Sequence, residues 1–83
     1  MNPIVIYGTT WCGDCMHAKR ILQQHGVSFA WINIEEDETG AEFVATTGRG
    51  KLSVPVIAFG DGSILVEPSN GQLIGKLKAL QLA

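Results

Sequence analysis

The sequence is poor in cysteine and carries no surplus of positive charge. Its 83 residues include only two cysteines, six basic residues and eight acidic ones, and the formal net charge is −2. Without a basic surplus there is no electrostatic footprint for nucleic acid or for an anionic membrane surface. No segment approaches the roughly 20 consecutive apolar residues that a membrane-spanning helix requires. We therefore expect neither a nucleic-acid partner nor a membrane partner.

The amino-terminal segment lacks the features of a secretory signal. Residues 1–7 contain neither a basic region nor a long apolar stretch, so we expect a cytoplasmic protein. The length predicts a single domain over residues 1–83. Hydrophobic residues make up 46% of the chain, which indicates a packed core rather than disorder.

The two cysteines, Cys12 and Cys15, are separated by only two residues. Closing so short a loop adds little stability, and cytosolic thiols are normally kept reduced, so a structural disulfide is a poor interpretation. A structural zinc site needs four ligands, whereas the chain offers two cysteines and two distant histidines. We expect no metal site and a pair that is present for its redox chemistry. Two inert buried thiols are the alternative.

Hydrophobic patterning predicts an α/β fold. Strands are expected over residues 3–7, 27–34, 54–59 and 64–66. Three helices are expected: one directly after the first strand, one from the acidic run 35–38 to Gly48, and one from a capping box at 69–72 onward. The order β-α-β-α-β-β-α combines a parallel β-α-β unit with a closing hairpin. It predicts a thioredoxin-like architecture, a four-stranded mixed sheet flanked by helices.

The cysteine pair falls where the first strand gives way to a helix. Unpaired backbone N–H groups and the dipole at a helix start favour a thiolate over a thiol. Cys12 is therefore predicted to be the exposed nucleophile. Cys15 follows three residues later, which places its sulfur beneath Cys12 as the resolving thiol. The expected chemistry is thiol–disulfide exchange through a mixed disulfide.

Three neighbours of the pair are predicted to shape this chemistry. Gly13 lets the turn close tightly, and Asp14 brings a negative charge that opposes the helix dipole and should disfavour the thiolate. These two residues are thus expected to tune the acidity of the nucleophile. Trp11, directly before the exposed cysteine, is predicted to flank a docking surface, with a core position as the alternative.

Two further segments are candidates for substrate binding. Arg49 and Lys51 lie in a glycine-broken loop that should reach the active-site edge, where they would hold an anionic thiol or an acidic substrate. Solvated loop charges are an equally open interpretation. Pro55 opens the third strand, and the residues alone do not decide whether the Val54–Pro55 bond is cis.

The sequence resembles the glutaredoxin family over essentially its whole length, and most closely the mycoredoxin-like branch. The segments that carry the resemblance are Thr9 to Cys15, Ala41 to Val44, Ser53 to Pro55, Phe59 to Ser63, and Pro68-Ser69. The resemblance implies reduction of protein disulfides or of mixed disulfides with a small thiol. It also implies a cis Pro55 facing the cysteines, and a Val54 backbone that pairs with an extended substrate.

The same resemblance implies a co-substrate rather than a tightly bound cofactor. Glutathione-using glutaredoxins commonly carry a lysine where this chain has Thr9, and Gly60-Asp61-Gly62-Ser63 replaces their Gly-Gly-x-Asp-Asp-like stretch. A mycothiol-like thiol is therefore expected ahead of glutathione. A flavoprotein disulfide reductase is the alternative source of electrons, and the working form is expected to be a monomer.

A binding protein is the alternative to an enzyme. Cys12 from two chains, together with external thiols, would then bridge an iron–sulfur cluster, for which Gly13 leaves a pliable turn. The presence of Cys15 fits dithiol exchange better.

Overall fold

Strands and helices alternate in the predicted order in the computed structural model, which describes residues 4–48 and 53–82. The elements are β1 (Ile4–Gly8), α1 (Gly13–Gln24), β2 (Phe29–Asn33), α2 (Glu38–Thr47), β3 (Val56–Ala58), β4 (Ile64–Val66) and α3 (Asn70–Ala79). The predicted four-stranded mixed sheet with flanking helices is confirmed. No helix in these two ranges is long and apolar enough to cross a membrane.

The sheet has the strand order β2-β1-β3-β4, and its register sets the position of the cysteines. β1 runs parallel to β2, with Gly8 opposite Asn33, so the carboxyl ends of both strands meet at one edge. β3 is antiparallel to β1, with Val56 opposite Tyr7. The residues before Val56 therefore reach the same edge at which β1 ends and α1 begins.

Alternating side chains of the central strands divide the core into two layers. Ile6 and Ile57, which are paired in the register, pack with Leu22 of α1 and Leu73 of α3 on one face of the sheet. The other face is covered by α2 through Val44, which packs with Ile34 and Val56, and β4 completes the sheet beside β3. Fully burying each such aliphatic side chain contributes about 1.5–3 kcal/mol, so α1 is held firmly against the sheet.

The acidic run does not form the first turn of α2 as predicted. The helix begins at Glu38, and Asp37 is its N-cap, with its Oδ1 accepting the Gly40 N–H at 2.7 Å. The preceding acids, Glu35 and Glu36, lie in a turn instead. Asn33 is the reason, because its side-chain oxygen captures the Glu35 N–H at 3.0 Å and diverts the backbone from the helix.

The predicted capping box of α3 is confirmed. Ser69 Oγ accepts the Gln72 N–H at 3.1 Å, and the Gln72 side chain accepts the Ser69 N–H at 2.8 Å. Two strand starts differ from the prediction. β2 begins at Phe29 rather than Val27, and β3 begins at Val56 because the chain bends at Val54 and Pro55 has no N–H to donate.

Candidate active site

Cys12 is the N-cap residue of α1. Its backbone is extended, with φ −85° and ψ 113°, and its Sγ accepts the Cys15 N–H at 3.2 Å. This position is usually filled by Ser, Thr, Asp or Asn, whose oxygen satisfies a free N–H of the first turn. Here a sulfur does so, and the positive end of the helix is directed at it. The Cys12 sulfur therefore takes the place of the usual capping oxygen.

Cys15 has the opposite environment, since it is completely buried on the inner side of α1. Burial, together with a hydrogen bond to the Cys12 sulfur, raises the pKa of the Cys15 thiol to about 12. Electrostatic repulsion from Asp14, and from Cys12 when it is ionised, acts in the same direction, whereas a backbone hydrogen bond from Thr9 opposes it. Cys15 is therefore protonated at neutral pH, and both cysteines are free thiols.

Gly8 makes room for the buried sulfur. A Cβ built on Gly8 would lie 2.5 Å from Cys15 Sγ and 3.1 Å from Cys15 Cβ, and it would also crowd Trp31 Cη2 at 3.0 Å. Only a residue without a side chain lets the last position of β1 approach Cys15 so closely. In the sequence, Gly8 indicates merely the end of a strand, so this requirement was not predicted.

The loop before β3 brings Val54 and Pro55 to the cysteines. The Cys12 thiol lies 3.9 Å from the Val54 carbonyl oxygen, to which it donates a weak hydrogen bond. The Val54–Pro55 peptide bond is cis, and Pro55 is fully buried. The Pro55 carbonyl accepts the Glu67 N–H at 2.8 Å, which ties this loop to the segment after β4. The Val54–Pro55 loop thus contacts Cys12 on one side and is tied to Glu67 on the other.

Trp11, directly before Cys12, projects into solvent, with 73% of its surface exposed. That exposure excludes the alternative of a core aromatic, and its role in docking stays a prediction. Its indole Nε1 donates to Glu35 Oε1 at 3.1 Å. Sequence reasoning missed Glu35, which appeared only as one member of an acidic run.

For the other predicted residues, the structure gives less information on a role at Cys12. Gly13 and Asp14 open α1, and among the described residues nothing lies within 4 Å of a Cβ built on Gly13. Asp14 is exposed, and its charge acts on Cys15 as noted above. An effect of either residue on the reactivity of Cys12 stays a prediction. Arg49 and Lys51 lie outside the residues that the structure describes.

Two clefts flank the cysteine loop. One, of about 410 Å³, lies between the starts of α1 and α3, and its lining includes Asp14, His17, Glu67, Ser69 and Gln72. The other, of about 380 Å³, lies on the opposite side and is lined by Thr10, Trp31, Ile32, Asn33, Glu36 and Asp37. Within the described ranges, no three His, Cys, Asp or Glu side chains are placed together to hold a metal ion.

Comparison with known proteins gives a consistent picture. The family model described as Glutaredoxin matches residues 4–64. The chain is 36% identical over 74 residues to a protein named as a glutaredoxin in Mycobacterium tuberculosis, covering 89% of this chain and 88% of that one. It is 30% identical over 80 residues to mycoredoxin 1 of Corynebacterium glutamicum, covering 96% and 99% of the two chains.

A solved structure extends the similarity to the fold. The glutaredoxin of Archaeoglobus fulgidus superimposes with a TM-score of 0.72 at 30% identity, covering 98% of this chain and 87% of that one. The sequence matches, the fold and the pair of thiols at the start of α1 agree with one another. The chain therefore belongs to the glutaredoxin family, in its mycoredoxin-like branch, and is a thiol–disulfide oxidoreductase.

Proposed function

We propose that the chain reduces protein disulfides, and mixed disulfides between a protein and a small thiol, through Cys12 and Cys15. The contrast between the two sulfurs is the observation that carries this proposal. Cys12 is partly exposed and accepts the Cys15 N–H, whereas Cys15 is fully buried and its pKa is raised to about 12. Sequential exchange needs one sulfur that is available for attack and a second that waits as a thiol.

The reaction proceeds in two exchanges. The Cys12 thiolate attacks one sulfur of the substrate disulfide, the substrate S–S bond breaks, and the departing sulfur leaves as a thiolate that takes up a proton. Cys15 then loses its proton and attacks Cys12 Sγ, which releases the reduced product and leaves a Cys12–Cys15 disulfide. Two electrons pass from the dithiol to the substrate. A small thiol or a flavoprotein disulfide reductase returns them.

The substrate would lie along the wall formed by Val54 and Trp11. The Val54 carbonyl is 3.9 Å from the Cys12 sulfur, and Val54 precedes the first residue of β3 that pairs in the sheet. Its backbone is thus placed for strand-like pairing with an extended segment around the attacked sulfur. The exposed Trp11 ring supplies apolar contact area beside it. Pro55, buried behind Val54, supports this wall.

A mycothiol-like thiol fits the surroundings of Cys12 better than glutathione does. We place the small thiol in the cleft of about 410 Å³ beside Asp14. Of the residues that the structure describes, its lining includes Asp14 and Glu67 but no lysine or arginine. Thr9 is buried and uncharged, so it offers no cation to a carboxylate. Glutathione carries two carboxylates, which this acidic lining disfavours. The similarity to mycoredoxin 1 supports the same choice.

Trapping the mixed disulfide tests the proposal. The Cys15→Ser variant, purified from its native cytosol without reductant, should carry a small thiol or a protein on Cys12 because the second exchange is blocked. Intact-mass spectrometry would identify the adduct and thereby separate mycothiol-like thiols from glutathione. Cys12→Ser is the matched control and should carry no adduct.

The opposite pattern would contradict the assigned roles. If Cys15→Ser lost its reactivity toward an alkylating agent while Cys12→Ser kept it, Cys15 would be the nucleophile. A Cys15→Ser variant without adduct but with a reactive Cys12 would favour recycling by a flavoprotein reductase. That reductase would then be tested directly with the wild-type protein.

A further inference from the structure

The side chain of Glu35 is bonded to the exposed indole beside the nucleophile. Trp11 Nε1 donates to Glu35 Oε1 at 3.1 Å, across 24 positions of the chain. An indole has a single hydrogen-bond donor, so this bond directs the N–H edge of the ring toward Glu35. The Trp11 ring is otherwise largely free of contacts, with 73% of its surface exposed.

The turn that carries Glu35 is itself held in place. The Glu35 N–H donates to Asn33 Oδ1 at 3.0 Å, and the Glu36 N–H donates to the Asn33 carbonyl at 3.0 Å. The Ile34 N–H donates to the carbonyl of Gly8, the last residue of β1, at 3.0 Å. Glu35 therefore extends from a turn anchored to the strand that leads into the cysteine loop.

We propose that Glu35 is a positioning residue that orients Trp11 as a platform for protein substrates. An unrestrained exposed tryptophan samples several rotamers and loses that freedom when a partner covers it. The bond to Glu35 orders the ring before the substrate arrives. This inference rests on the proposed function, and it concerns the docking of a protein rather than the chemistry of the sulfurs. Small disulfides, which bury little of the ring, should be insensitive to it.

The neighbouring acid provides a control for charge. Glu36 is also exposed, and its carboxylate accepts a hydrogen bond from Asn33 Nδ2 at 3.2 Å rather than from Trp11. Glu36→Ala removes the same charge from the same turn as Glu35→Ala. Glu35→Gln removes the charge but keeps an acceptor oxygen in reach of the indole. The bond and the charge can thus be tested separately.

The experiment compares these three variants with the wild type. Dithiothreitol supplies the two electrons that each turnover consumes. Reduction of insulin reports on a protein disulfide, reduction of hydroxyethyl disulfide reports on a small one, and alkylation by iodoacetamide reports on Cys12 alone. For Glu35→Ala we expect KM for insulin to rise on the order of threefold to tenfold, with kcat and both small-molecule rates nearly unchanged. Glu35→Gln and Glu36→Ala should remain close to the wild type.

The indole N–H resonance gives a readout that does not depend on activity. The chain has two tryptophans, so a Trp11→Phe spectrum assigns the two indole signals. In Glu35→Ala the Trp11 signal should move upfield and exchange faster with water, because its acceptor is gone. In Glu36→Ala it should stay in place.

Each opposite result would overturn a separate claim. An unchanged KM for insulin in Glu35→Ala, with an active wild type, would refute the positioning role alone. An equal rise in KM for all three variants would show that charge, rather than the bond to Trp11, is responsible. A wild type that reduces neither insulin nor hydroxyethyl disulfide would refute the proposed function and the docking role together.

Discussion

Among single methyl groups added to the described glycines, the one at Gly8 should disturb the active site most. The new Cβ would lie 2.5 Å from Cys15 Sγ, 3.1 Å from Cys15 Cβ and 3.0 Å from Trp31 Cη2. Carbon and sulfur atoms in contact prefer separations of about 3.5–4.0 Å. Cys15 or the end of β1 must therefore move by roughly 1 Å. Both are buried, so there is no open space to take up the shift.

The expected cost in stability follows from this crowding. Overpacking a well-filled core costs about 1–3 kcal/mol. Replacing a glycine also restricts the unfolded chain, which returns about 0.4–1 kcal/mol where alanine fits the backbone. We expect the free energy of unfolding of Gly8→Ala to fall by about 1–2 kcal/mol. For a chain of this length that lowers Tm by roughly 4–8 °C per kcal/mol.

The reactivity of the two sulfurs should change unequally. A displacement of about 1 Å in a reacting atom can cost on the order of 100-fold in rate, so the attack of Cys15 on the mixed disulfide should slow by about tenfold or more. Cys12, which does not supply any of the three atoms nearest to the added methyl, should keep its alkylation rate. Urea unfolding under reductant measures the loss of stability. Single-turnover decay of the mixed disulfide, followed by intact mass, measures the rate at which Cys15 attacks.

Gly75→Ala is the matched control for this prediction. Gly75 lies in α3, is exposed, and has no described atom within 4 Å of its built Cβ. The same substitution there should stabilise the protein by about 0.5–1 kcal/mol through helix propensity. If Gly8→Ala were as stable as Gly75→Ala and resolved the mixed disulfide at the wild-type rate, the packing argument would be wrong.

Two further predictions concern pH and the last helix. Since burial raises the pKa of Cys15 from 9.0 to about 12, the unfolded chain loses this proton from about pH 9 upward while the native state keeps it. The free energy of unfolding should fall as pH rises through that window, by at most about 1.4 kcal/mol per pH unit. Urea unfolding of the reduced protein should show a shallower fall in Cys15→Ser, and an identical slope would contradict the raised pKa. Ser69→Ala removes the N-cap of α3 and should lower the free energy of unfolding by about 0.5–2 kcal/mol, whereas Ser69→Asp should keep most of that stability. Equal unfolding midpoints for the wild type and both variants would argue against the capping box.

Local signals predicted the parts of this structure that depend on a few adjacent residues. The capping box links Ser69 to Gln72, three positions apart, and both hydrogen bonds form as expected. The position of Cys12 and Cys15 at a strand-to-helix junction was also predictable, because the hydrophobic period changes there within a few residues.

The acidic run shows where local reasoning fails. Carboxylates favour the first turn of a helix, but Asn33 competes for the same backbone through its bond to the Glu35 N–H. The competing group lies two positions before the run and offers no periodic signal. Glu35 consequently lies outside α2, where it reaches Trp11 instead.

Features that depend on distance in space could not be predicted from the sequence. The close approach of Gly8 to Cys15 depends on how α1 packs against the end of β1. The bond between Trp11 and Glu35 depends on the parallel pairing of β1 and β2, which brings their carboxyl ends together. One relation follows from helix packing and the other from the sheet register, and neither residue type is unusual at its position.

The different environments of the two sulfurs follow from where the motif lies rather than from the motif itself. A residue at the N-cap lies outside the helix and faces the free N–H groups of the first turn, as Cys12 does. Three residues later the helix has turned toward the sheet, which buries Cys15. In the middle of a helix, every backbone N–H near the same two cysteines would already be bonded to the carbonyl four residues earlier, so neither sulfur would accept an N–H. The junction of β1 and α1 is therefore what places one sulfur at the helix start and buries the other, and the glycine at the end of β1 is what allows the second sulfur to lie there.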